Sequence, residues 1–252
     1  MKVREHQDAV ERAVGDNIAA APLHLFPYPY VYVREVFPRD FYDDLQRHLP
    51  PSDLLMPLQQ VRGVRGYPQR FVLELTPKRL AAIPEPYRGF WSAVAGWMLG
   101  GAFAQRVLDK FRTFIDARFK GEPPEFGDEA LLVNDRTQYS LGPHTDSKSK
   151  VVSVLFYLPS DDRFEKHGTS IYVPRNPPDF TCAGGPHYRF DGFRRVATMP
   201  FLPNTMFAFV KTDHSFHGVE PIADAGVSRY LLLYDLRVKS RGFRQQPAPH
   251  AH

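Results

Sequence analysis

The sequence predicts a mainly β protein of the α+β class, with helices in its first half and strands in its second. Helical spacing of apolar residues runs through residues 87–119, whereas short apolar runs typical of buried strands recur between residues 130 and 238. The 20 Phe and 12 Tyr residues also favour strands. A chain of 252 residues is long enough to bury the core of one such domain.

The predicted helices share apolar residues at three- and four-residue spacing. They cover residues 2–20, 37–49, 87–99 and 102–119. The second begins beside Pro38 and ends at Pro50, which suits the first turn and the end of a helix. In the last, Phe103, Val107 and Phe111 fall on one face, which we expect to pack against the outer side of the sheet.

The predicted strands are short runs of β-branched, aromatic and aliphatic residues. They cover residues 26–33, 70–75, 130–134, 151–158, 206–210 and 229–234. Prolines within the first of these runs place it at a sheet edge. We expect a single domain over residues 1–242, in which residues 1–128 support a β core at 129–238. An insertion is expected at 160–201, and residues 243–252 are expected to be a disordered tail.

The segment His144-Thr145-Asp146 has the residue types and the spacing of a metal site. On an extended strand its two outer side chains point to one side, and Thr145 points away. A second histidine, His217, follows another predicted strand and would come close through strand pairing. Two imidazoles and one carboxylate on one face are the donor set of non-haem Fe(II), and they leave other positions open. The plain alternative for each histidine is an ordinary surface residue.

Arg229 opens the last apolar run, twelve residues after His217. A guanidinium at the start of a buried strand is costly unless its charge meets an anion. We therefore expect Arg229 to hold an acidic ligand near the metal. The alternative is an ion pair between Arg229 and an aspartate or glutamate of the protein.

As a set, these motifs resemble those of the Fe(II)/2-oxoglutarate-dependent oxygenases, and most closely the small bacterial prolyl-4-hydroxylase-like branch. The residues that carry the resemblance are His144, Asp146, the run Ser215-Phe216-His217-Gly218-Val219 and Arg229. It covers about residues 131–238, a little under half of the chain. It implies a double-stranded β-helix, a jelly-roll or cupin-like barrel with the N-terminal helices on its outer sheet.

The resemblance also implies roles for individual residues. His144, Asp146 and His217 would be the catalytic iron ligands, and Arg229 would bind the distal carboxylate of 2-oxoglutarate, with O2 as the other cosubstrate. Many members carry a serine two residues after that arginine, where this chain has Leu231, so another hydroxyl has to serve. Tyr139 is our candidate for this cofactor-binding role, and its alternative is an aromatic core residue.

Two further positions narrow the function within the family. Nucleic-acid demethylases of the superfamily have a second arginine six residues after the first, where this chain has Asp235. Halogenating members replace the carboxylate ligand by a small residue, so Asp146 argues against halogenation. Neither reaction is therefore expected.

The predicted insertion and the segment 61–75 are expected to cover the mouth of the barrel and to contact the substrate. The candidate substrate-binding residues are basic or aromatic: Arg62, Arg70, His187 and Arg194. Each has the alternative of a solvated surface residue. His167 and His187 are not expected to bind the metal, because neither lies in an extended apolar run beside a carboxylate.

Composition bounds the partners and the compartment. The net charge of +4 suits anionic small molecules, and the chain lacks the clustered Lys/Arg block with interleaved aromatics that nucleic-acid binding favours. The single cysteine, Cys182, excludes an internal disulfide and fits a reducing compartment. No apolar run resembles a signal peptide or a membrane span, so a cytoplasmic protein without a membrane partner is expected.

The resemblance therefore implies an Fe(II)- and 2-oxoglutarate-dependent dioxygenase. The expected reaction is hydroxylation of an unactivated C–H bond of a small or carrier-linked, anionic metabolite, with release of succinate and CO2. One alternative is a hydroxylase of protein or peptide side chains, as in the prolyl-type branch. Another is a cupin-like metal-binding barrel without oxygenase activity, although cupins usually carry His-x-His where this chain has Asp146.

Overall fold

Two antiparallel sheets and a layer of helices make up the chain in the computed structural model, which describes residues 2–64 and 66–239. Side chains are described from residue 7 onward. The predicted tail at 243–252 lies outside the described residues. Within them, no helix is both long enough and apolar enough to cross a membrane.

The helices precede the β core in the chain, as predicted. They are α1 (Lys2–Ala20), α2 (Arg39–Arg47), α3 (Leu58–Arg62), α4 (Pro77–Leu80), α5 (Tyr87–Met98) and α6 (Ala102–Arg118). All four helices expected from apolar spacing are present within a few residues of their predicted bounds. Helices α3 and α4 were not predicted, because four or five residues are too few to show a helical period.

Seven strands form the large sheet in the order β1-β9-β6-β11-β4-β3-β2. Their bounds are β1 (Tyr30–Arg34), β2 (Met56–Pro57), β3 (Arg70–Glu74), β4 (Phe126–Arg136), β6 (Lys150–Tyr157), β9 (Thr205–Val210) and β11 (Ser228–Val238). Every neighbouring pair is antiparallel. The small sheet has the order β5-β10-β7-β8, also antiparallel. Its strands are β5 (Leu141–His144), β7 (Thr169–Pro174), β8 (Phe193–Met199) and β10 (His217–Val219).

Alternation along the strands separates two cores on the two faces of the large sheet. On β4 and β11, Leu132 and Leu232 belong to the core shared with the helices, where Phe103 of α6 is fully buried. Their neighbours Val133 and Leu231 belong to a second core, which includes residues of the small sheet such as Ile171. Side chains two apart share a face, so the second core lies between the sheets. The prediction of a mainly β barrel with helices on its outer sheet is confirmed.

The segment 160–201 differs from the expected insertion, because it contains β7 and β8, half of the strands of the small sheet. Strand β7 is a short run ending at Pro174, and β8 mixes two arginines with apolar residues at the sheet edge. Neither shows the long apolar run of a central strand, so sequence patterns miss them. Strand β3, expected as part of a cover for the mouth, instead pairs with β4 in the large sheet.

Strand register defines two ends of the barrel interior. At one end Arg70, Asp135 and Arg229 lie side by side on β3, β4 and β11. At the other, Asp235 of β11 lies opposite Ser153 of β6. The residues between them on β11, at positions 231 and 233, are leucines. The barrel therefore has polar ends joined by an apolar middle.

Candidate metal and cosubstrate site

Strand pairing brings the three predicted metal ligands together at one end of the barrel. His144, the last residue of β5, lies opposite His217, the first residue of β10, and Asp146 follows two residues later. One ligand atom from each side chain lies within 4.8 Å of the others. All three side chains are buried. Asp146 and His217 are 71 residues apart in the sequence, and the fold brings them together.

Each imidazole is oriented by a backbone carbonyl. Nδ1 of His144 lies 3.0 Å from the Gly142 oxygen, and Nδ1 of His217 lies 2.9 Å from the Ser215 oxygen. A carbonyl only accepts, so Nδ1 carries the proton and the lone pair of Nε2 is left for a metal. Burial lowers the pKa of both histidines, and neighbouring imidazoles lower that of His144 further. Neutral imidazoles are the form that binds metal.

The two carboxylate oxygens of Asp146 have different partners. Oδ2 accepts a hydrogen bond from Ser153 Oγ at 2.7 Å and lies 4.0 Å from His217 Nε2. Oδ1 lies 3.0 Å from Lys150 Nζ. Burial alone would raise the pKa of Asp146, but Lys150, the two imidazoles and Ser153 hold it below its usual value. The carboxylate is therefore ionised, and Oδ2 is the oxygen that faces the histidines.

The opposite end of the barrel contains Arg229, which is fully buried. Its Nε donates to the His167 carbonyl at 2.7 Å, and one terminal nitrogen donates to Asp135 Oδ2 at 2.7 Å. The other terminal nitrogen lies 3.3 Å from Thr169 Oγ1. The alternative of an ion pair with a protein carboxylate is thus realised. A guanidinium has five N–H groups, so two remain for a ligand after these contacts.

Arg70 shares that carboxylate, a position that differs from its expected contact with the substrate. Its Nε and one terminal nitrogen donate to the two oxygens of Asp135 at 2.6 and 2.8 Å. The guanidinium also lies 4.5 Å from the centre of the Tyr139 ring. Two arginines and one aspartate leave one positive charge in excess in a buried place. An anionic ligand would balance that charge.

The Tyr139 hydroxyl is the second unbalanced group at this end. The side chain is buried, and Oη has no hydrogen-bond partner among the described residues. Burial raises the pKa of Tyr139 well above its usual value, so the hydroxyl keeps its proton and can donate. Buried hydroxyls nearly always have a partner. A ligand oxygen would supply one here, which fits the cosubstrate-binding role predicted for Tyr139.

A cavity connects the two ends. Arg70 and Arg229 line one end, and His144, Asp146 and His217 line the other. The apolar stretch between them includes Leu155, Leu231 and Leu233. Leu231, at the position where many oxygenases have a serine, lines the apolar part of this cavity. Thr169 also lines the cavity and its hydroxyl contacts Arg229, whereas the Tyr139 ring packs against Arg70.

The other predicted substrate-binding residues lie in different places. The His187 ring packs on His144, with centroids 4.5 Å apart, and its Nε2 lies 3.0 Å from Tyr67 Oη. Arg62 pairs with Glu74 and Glu129 at the edge of the barrel. Arg194 is exposed on the edge strand β8. Of the three, only His187 contacts the metal cluster.

The loop 175–192, which is part of the segment 160–201 expected to cover the mouth, packs against the segment His144-Thr145-Asp146. Thr145 Oγ1, in the middle of the His-Thr-Asp motif, donates to the Cys182 carbonyl at 2.5 Å. The Tyr188 amide donates to the Pro143 carbonyl at 2.8 Å. The loop is therefore held against the motif, and the side chain of its middle residue, Thr145, contacts the loop at Cys182.

Sequence patterns missed the polar side chains that support the site. These are Asp135, Lys150, Ser153 and Asp235. A signal existed, because three of them interrupt or flank apolar strands on the inward face, where an unpaired polar group is costly. Their partners lie on other strands, so the pairing itself was out of reach.

Comparisons with solved structures agree with this architecture. The epimerase SnoN from nogalamycin biosynthesis, described as a non-haem α-ketoglutarate-dependent enzyme, aligns at 12% identity and a TM-score of 0.50. The alignment covers 97% of this chain and 94% of SnoN. The chain has the fold of the 2-oxoglutarate-dependent oxygenases. A second SnoN structure, in complex with Fe3+, α-ketoglutarate and nogalamycin RO, aligns with the same score at 11% identity, over 97% and 96% of the two chains.

Another structure with the oxygenase fold is a Pseudomonas putida prolyl-4-hydroxylase, with 17% identity, a TM-score of 0.49 and coverage of 91% of this chain and 100% of the other. No protein-family model and no curated protein matches the chain by sequence. At these identities the likeness establishes the oxygenase fold. The chemistry of the site is argued from its own residues.

Proposed function

We propose that this protein is an Fe(II)- and 2-oxoglutarate-dependent dioxygenase that hydroxylates a small molecule. The observation that carries the proposal is one cavity with a His144, Asp146 and His217 cluster at one end. At its other end is a surplus guanidinium charge. Beside it, Arg70 packs on the ring of Tyr139, whose hydroxyl has no partner among the described residues. The bound metal and cosubstrate would supply oxygen activation, with succinate and CO2 as coproducts.

The metal would be held by Nε2 of His144, Nε2 of His217 and Oδ2 of Asp146. All three groups are in the protonation state that binding requires, and three protein atoms leave positions for cosubstrate and oxygen. The Gly142 and Ser215 carbonyls fix both rings through Nδ1. This arrangement resembles the facial donor set of non-haem iron oxygenases.

The distal carboxylate of 2-oxoglutarate would lie between Arg229, Arg70 and Tyr139. Arg229 and Arg70 each retain N–H groups beyond those that contact Asp135, and Tyr139 would donate its free hydroxyl. Asp135 lies between the two guanidinium groups and orients both, because its oxygens accept hydrogen bonds from Arg70 and from Arg229. Planar guanidinium–carboxylate contacts supply geometry as well as energy.

The substrate would approach the metal beside His187, whose hydrogen bond to Tyr67 joins two loops next to His144. SnoN, which shares the fold, was crystallised with the small molecule nogalamycin RO. This supports a small-molecule substrate. The expectation of an anionic or carrier-linked substrate has less support, since Arg62 and Arg70 already face carboxylates of the protein.

An anaerobic titration tests the proposal. Metal-free protein would be titrated with Fe(II) and then 2-oxoglutarate, while the metal-to-ligand charge-transfer absorption is recorded. We expect a band in the wild type, no band in His217→Ala, and a band in Arg229→Ala only at much higher 2-oxoglutarate concentrations. A folded wild type that binds Fe(II) without producing the band would refute the oxygenase and favour a cupin-like metal barrel.

Substrate class would then be tested by succinate release in air. Small-molecule extracts and peptide libraries would be compared, and products would be identified by their mass increase. Turnover stimulated by metabolites supports the proposal. Turnover stimulated only by peptides would replace it with hydroxylation of a protein side chain.

A further inference from the structure

Lys150, the first residue of β6, bridges two buried carboxylates beside the metal cluster. Its Nζ lies 3.0 Å from Asp146 Oδ1 and 2.9 Å from Asp235 Oδ1, and its side chain is only 14% exposed. Ser153 Oγ bridges the same two aspartates, at 2.7 Å from Asp146 Oδ2 and 3.0 Å from Asp235 Oδ1. An ammonium and a hydroxyl thus join the two carboxylates into a closed ring of contacts.

This ring makes the two oxygens of Asp146 unequal. Oδ2 faces His217 Nε2 at 4.0 Å, whereas Oδ1 is engaged by the ammonium on the other side of the carboxylate. A carboxylate free of such a partner can turn both oxygens toward a divalent cation. With Lys150 in place, the second oxygen can reach the metal only by giving up a buried ion pair.

Asp235 determines how strongly the positive charge of Lys150 affects metal binding. Lys150 and Asp235 form a neutral pair, and Arg237 binds the other oxygen of Asp235 at 3.2 Å. An ammonium near a dication opposes its binding, while an aspartate favours it, and these effects are strong where water is scarce. The pair therefore fixes the carboxylate without placing a large net charge next to the metal.

We propose that Lys150, anchored by Asp235, is a positioning residue for the metal ligand Asp146. It reserves Oδ1, so that Asp146 gives the metal one oxygen and a coordination position stays open for the 2-oxo acid. The inference rests on the proposed metal site and adds residues that sequence patterns did not assign. A positioning role predicts effects on metal affinity that are not expected if the ion pair only stabilises the fold.

The prediction concerns the sign of two effects on Mn2+ affinity, measured by calorimetry on metal-free protein. Lys150→Met leaves Asp146 and Asp235 without the ammonium, so Mn2+ should bind about tenfold or more tightly. Asp235→Asn leaves the ammonium without its counter-charge, so Mn2+ should bind about tenfold or more weakly. The double variant, again with a neutral pair, should bind between these limits.

A second readout counts the water molecules on the bound Mn2+ through water-proton relaxation. An octahedral ion on three protein atoms keeps about three exchangeable waters, and a bidentate Asp146 in Lys150→Met should reduce this to about two. Because the second Asp146 oxygen would then occupy a position that 2-oxoglutarate needs, the variant should also require a higher 2-oxoglutarate concentration for binding. Lys211→Met is the control, because Lys211 is also a buried lysine but pairs with Asp213 outside the cluster, and we expect wild-type Mn2+ affinity.

The outcomes separate the inference from the proposed function. Opposite shifts in Lys150→Met and Asp235→Asn support the positioning role. If both variants bind Mn2+ more weakly, or neither changes, the pair is only structural and the inference is overturned. If the wild type binds no Mn2+, the proposed metal site itself fails. Should Lys150→Met not fold, Lys150→Gln removes the same charge with a polar side chain and carries the same expectation.

Discussion

At the scale of single residues, a buried polar atom that has a partner in the folded chain differs from one that lacks a partner. The first serves the fold, and the second is available to a ligand. Asp135 has a partner for each oxygen and joins Arg70 to Arg229, so it belongs to the folded protein whether or not a ligand is bound. The Tyr139 hydroxyl has none among the described residues. A group that costs stability in the free protein and gains a partner in the complex is a signature of a binding site.

Tyr139→Phe should therefore have opposite effects on the free protein and on its complex. Removing a buried hydroxyl that lacks a partner should leave the free energy of unfolding unchanged or raise it by about 1 kcal/mol. The dissociation constant for 2-oxoglutarate should rise about tenfold, since a hydrogen bond to a carboxylate is lost. Urea unfolding and ligand titration measure the two quantities.

Tyr42→Phe is the matched control for that prediction. The Tyr42 hydroxyl is also buried but donates to the Pro159 carbonyl at 2.6 Å. Its loss should reduce the free energy of unfolding by about 1 kcal/mol without changing 2-oxoglutarate affinity. If Tyr139→Phe behaves like Tyr42→Phe, Tyr139 is a core residue, which was the alternative interpretation of this position.

At the scale of elements, the proposed metal ligand His144 lies on a strand against which the loop 175–192 packs. The Tyr188 amide donates to the Pro143 carbonyl, so the loop 175–192 runs directly over β5. Gly142 lies at this crossing, and a Cβ there would be 2.2 Å from the Tyr188 carbonyl oxygen. Glycine is required because two backbones meet, and sequence patterns alone do not show such a meeting.

Gly142→Ala should push β5 and the loop apart. Since β5 ends at His144, we expect Mn2+ affinity to fall about tenfold or more, and stability to fall by about 1–3 kcal/mol. Gly192→Ala is the control, because a Cβ there meets nothing within 4 Å. The control should keep wild-type metal affinity. Equal metal affinity in both variants would show that the loop does not position His144.

At the scale of the whole molecule, the large sheet separates a supporting face from a reacting face. Its outer face and the helices form one core, in which the Phe103 ring of α6 packs on Tyr234 with centroids 4.9 Å apart. Its inner face and the small sheet enclose the cavity. Changes in the outer core should therefore alter stability and leave the metal site intact.

Phe103→Ala tests this separation. Truncating a fully buried aromatic ring should cost about 3–5 kcal/mol in the free energy of unfolding, measured with urea. The Mn2+ dissociation constant of the folded variant should not change. Phe26→Ala, at a side chain that is 66% exposed, makes the same substitution and should change neither quantity. A large loss of metal affinity in Phe103→Ala would show that the two faces are coupled.

Acid should destabilise the molecule by protonating carboxylates that form ion pairs with arginines in the folded state. Burial raises the pKa of Glu129, but Arg237, Arg62 and Lys150 lower it more, so the net shift is below the usual 4.5. Because the folded state binds this proton less readily than the unfolded state, its stabilising effect is present above pH 4.5 and is lost as pH falls.

Glu129→Gln should therefore flatten the dependence of stability on pH below about 4.5. Urea unfolding of the metal-free protein between about pH 5 and pH 3 gives the slopes. Asp44→Asn, at an exposed ion pair with Arg47, is the control and should keep the wild-type slope. An unchanged slope in Glu129→Gln would mean that the arginines do not hold this carboxylate in its charged form.

Much of the fold was determined by the sequence itself. Apolar spacing and composition are local properties, so the four longer helices were predicted near their observed bounds. The central strands were predicted at the right places, but β4 and β11 extend beyond the apolar runs that predicted them. The motif His144-Thr145-Asp146, with His217 and Arg229, identified the cluster and the basic end of the cavity for a related reason. Residues two apart in an extended chain point to the same side, and here His144 ends β5 and Asp146 follows it.

Tertiary structure alone decided the partners. That Arg229 meets Asp135, that Arg70 shares this carboxylate, and that Lys150 ties Asp146 to Asp235 all depend on strand register. Strand β7, the edge strand β8 and the loop over β5 depend on long-range contacts as well. The sequence shows that a charge in a buried strand needs a partner. The identity of that partner depends on which strands lie side by side, and only the folded chain determines their order.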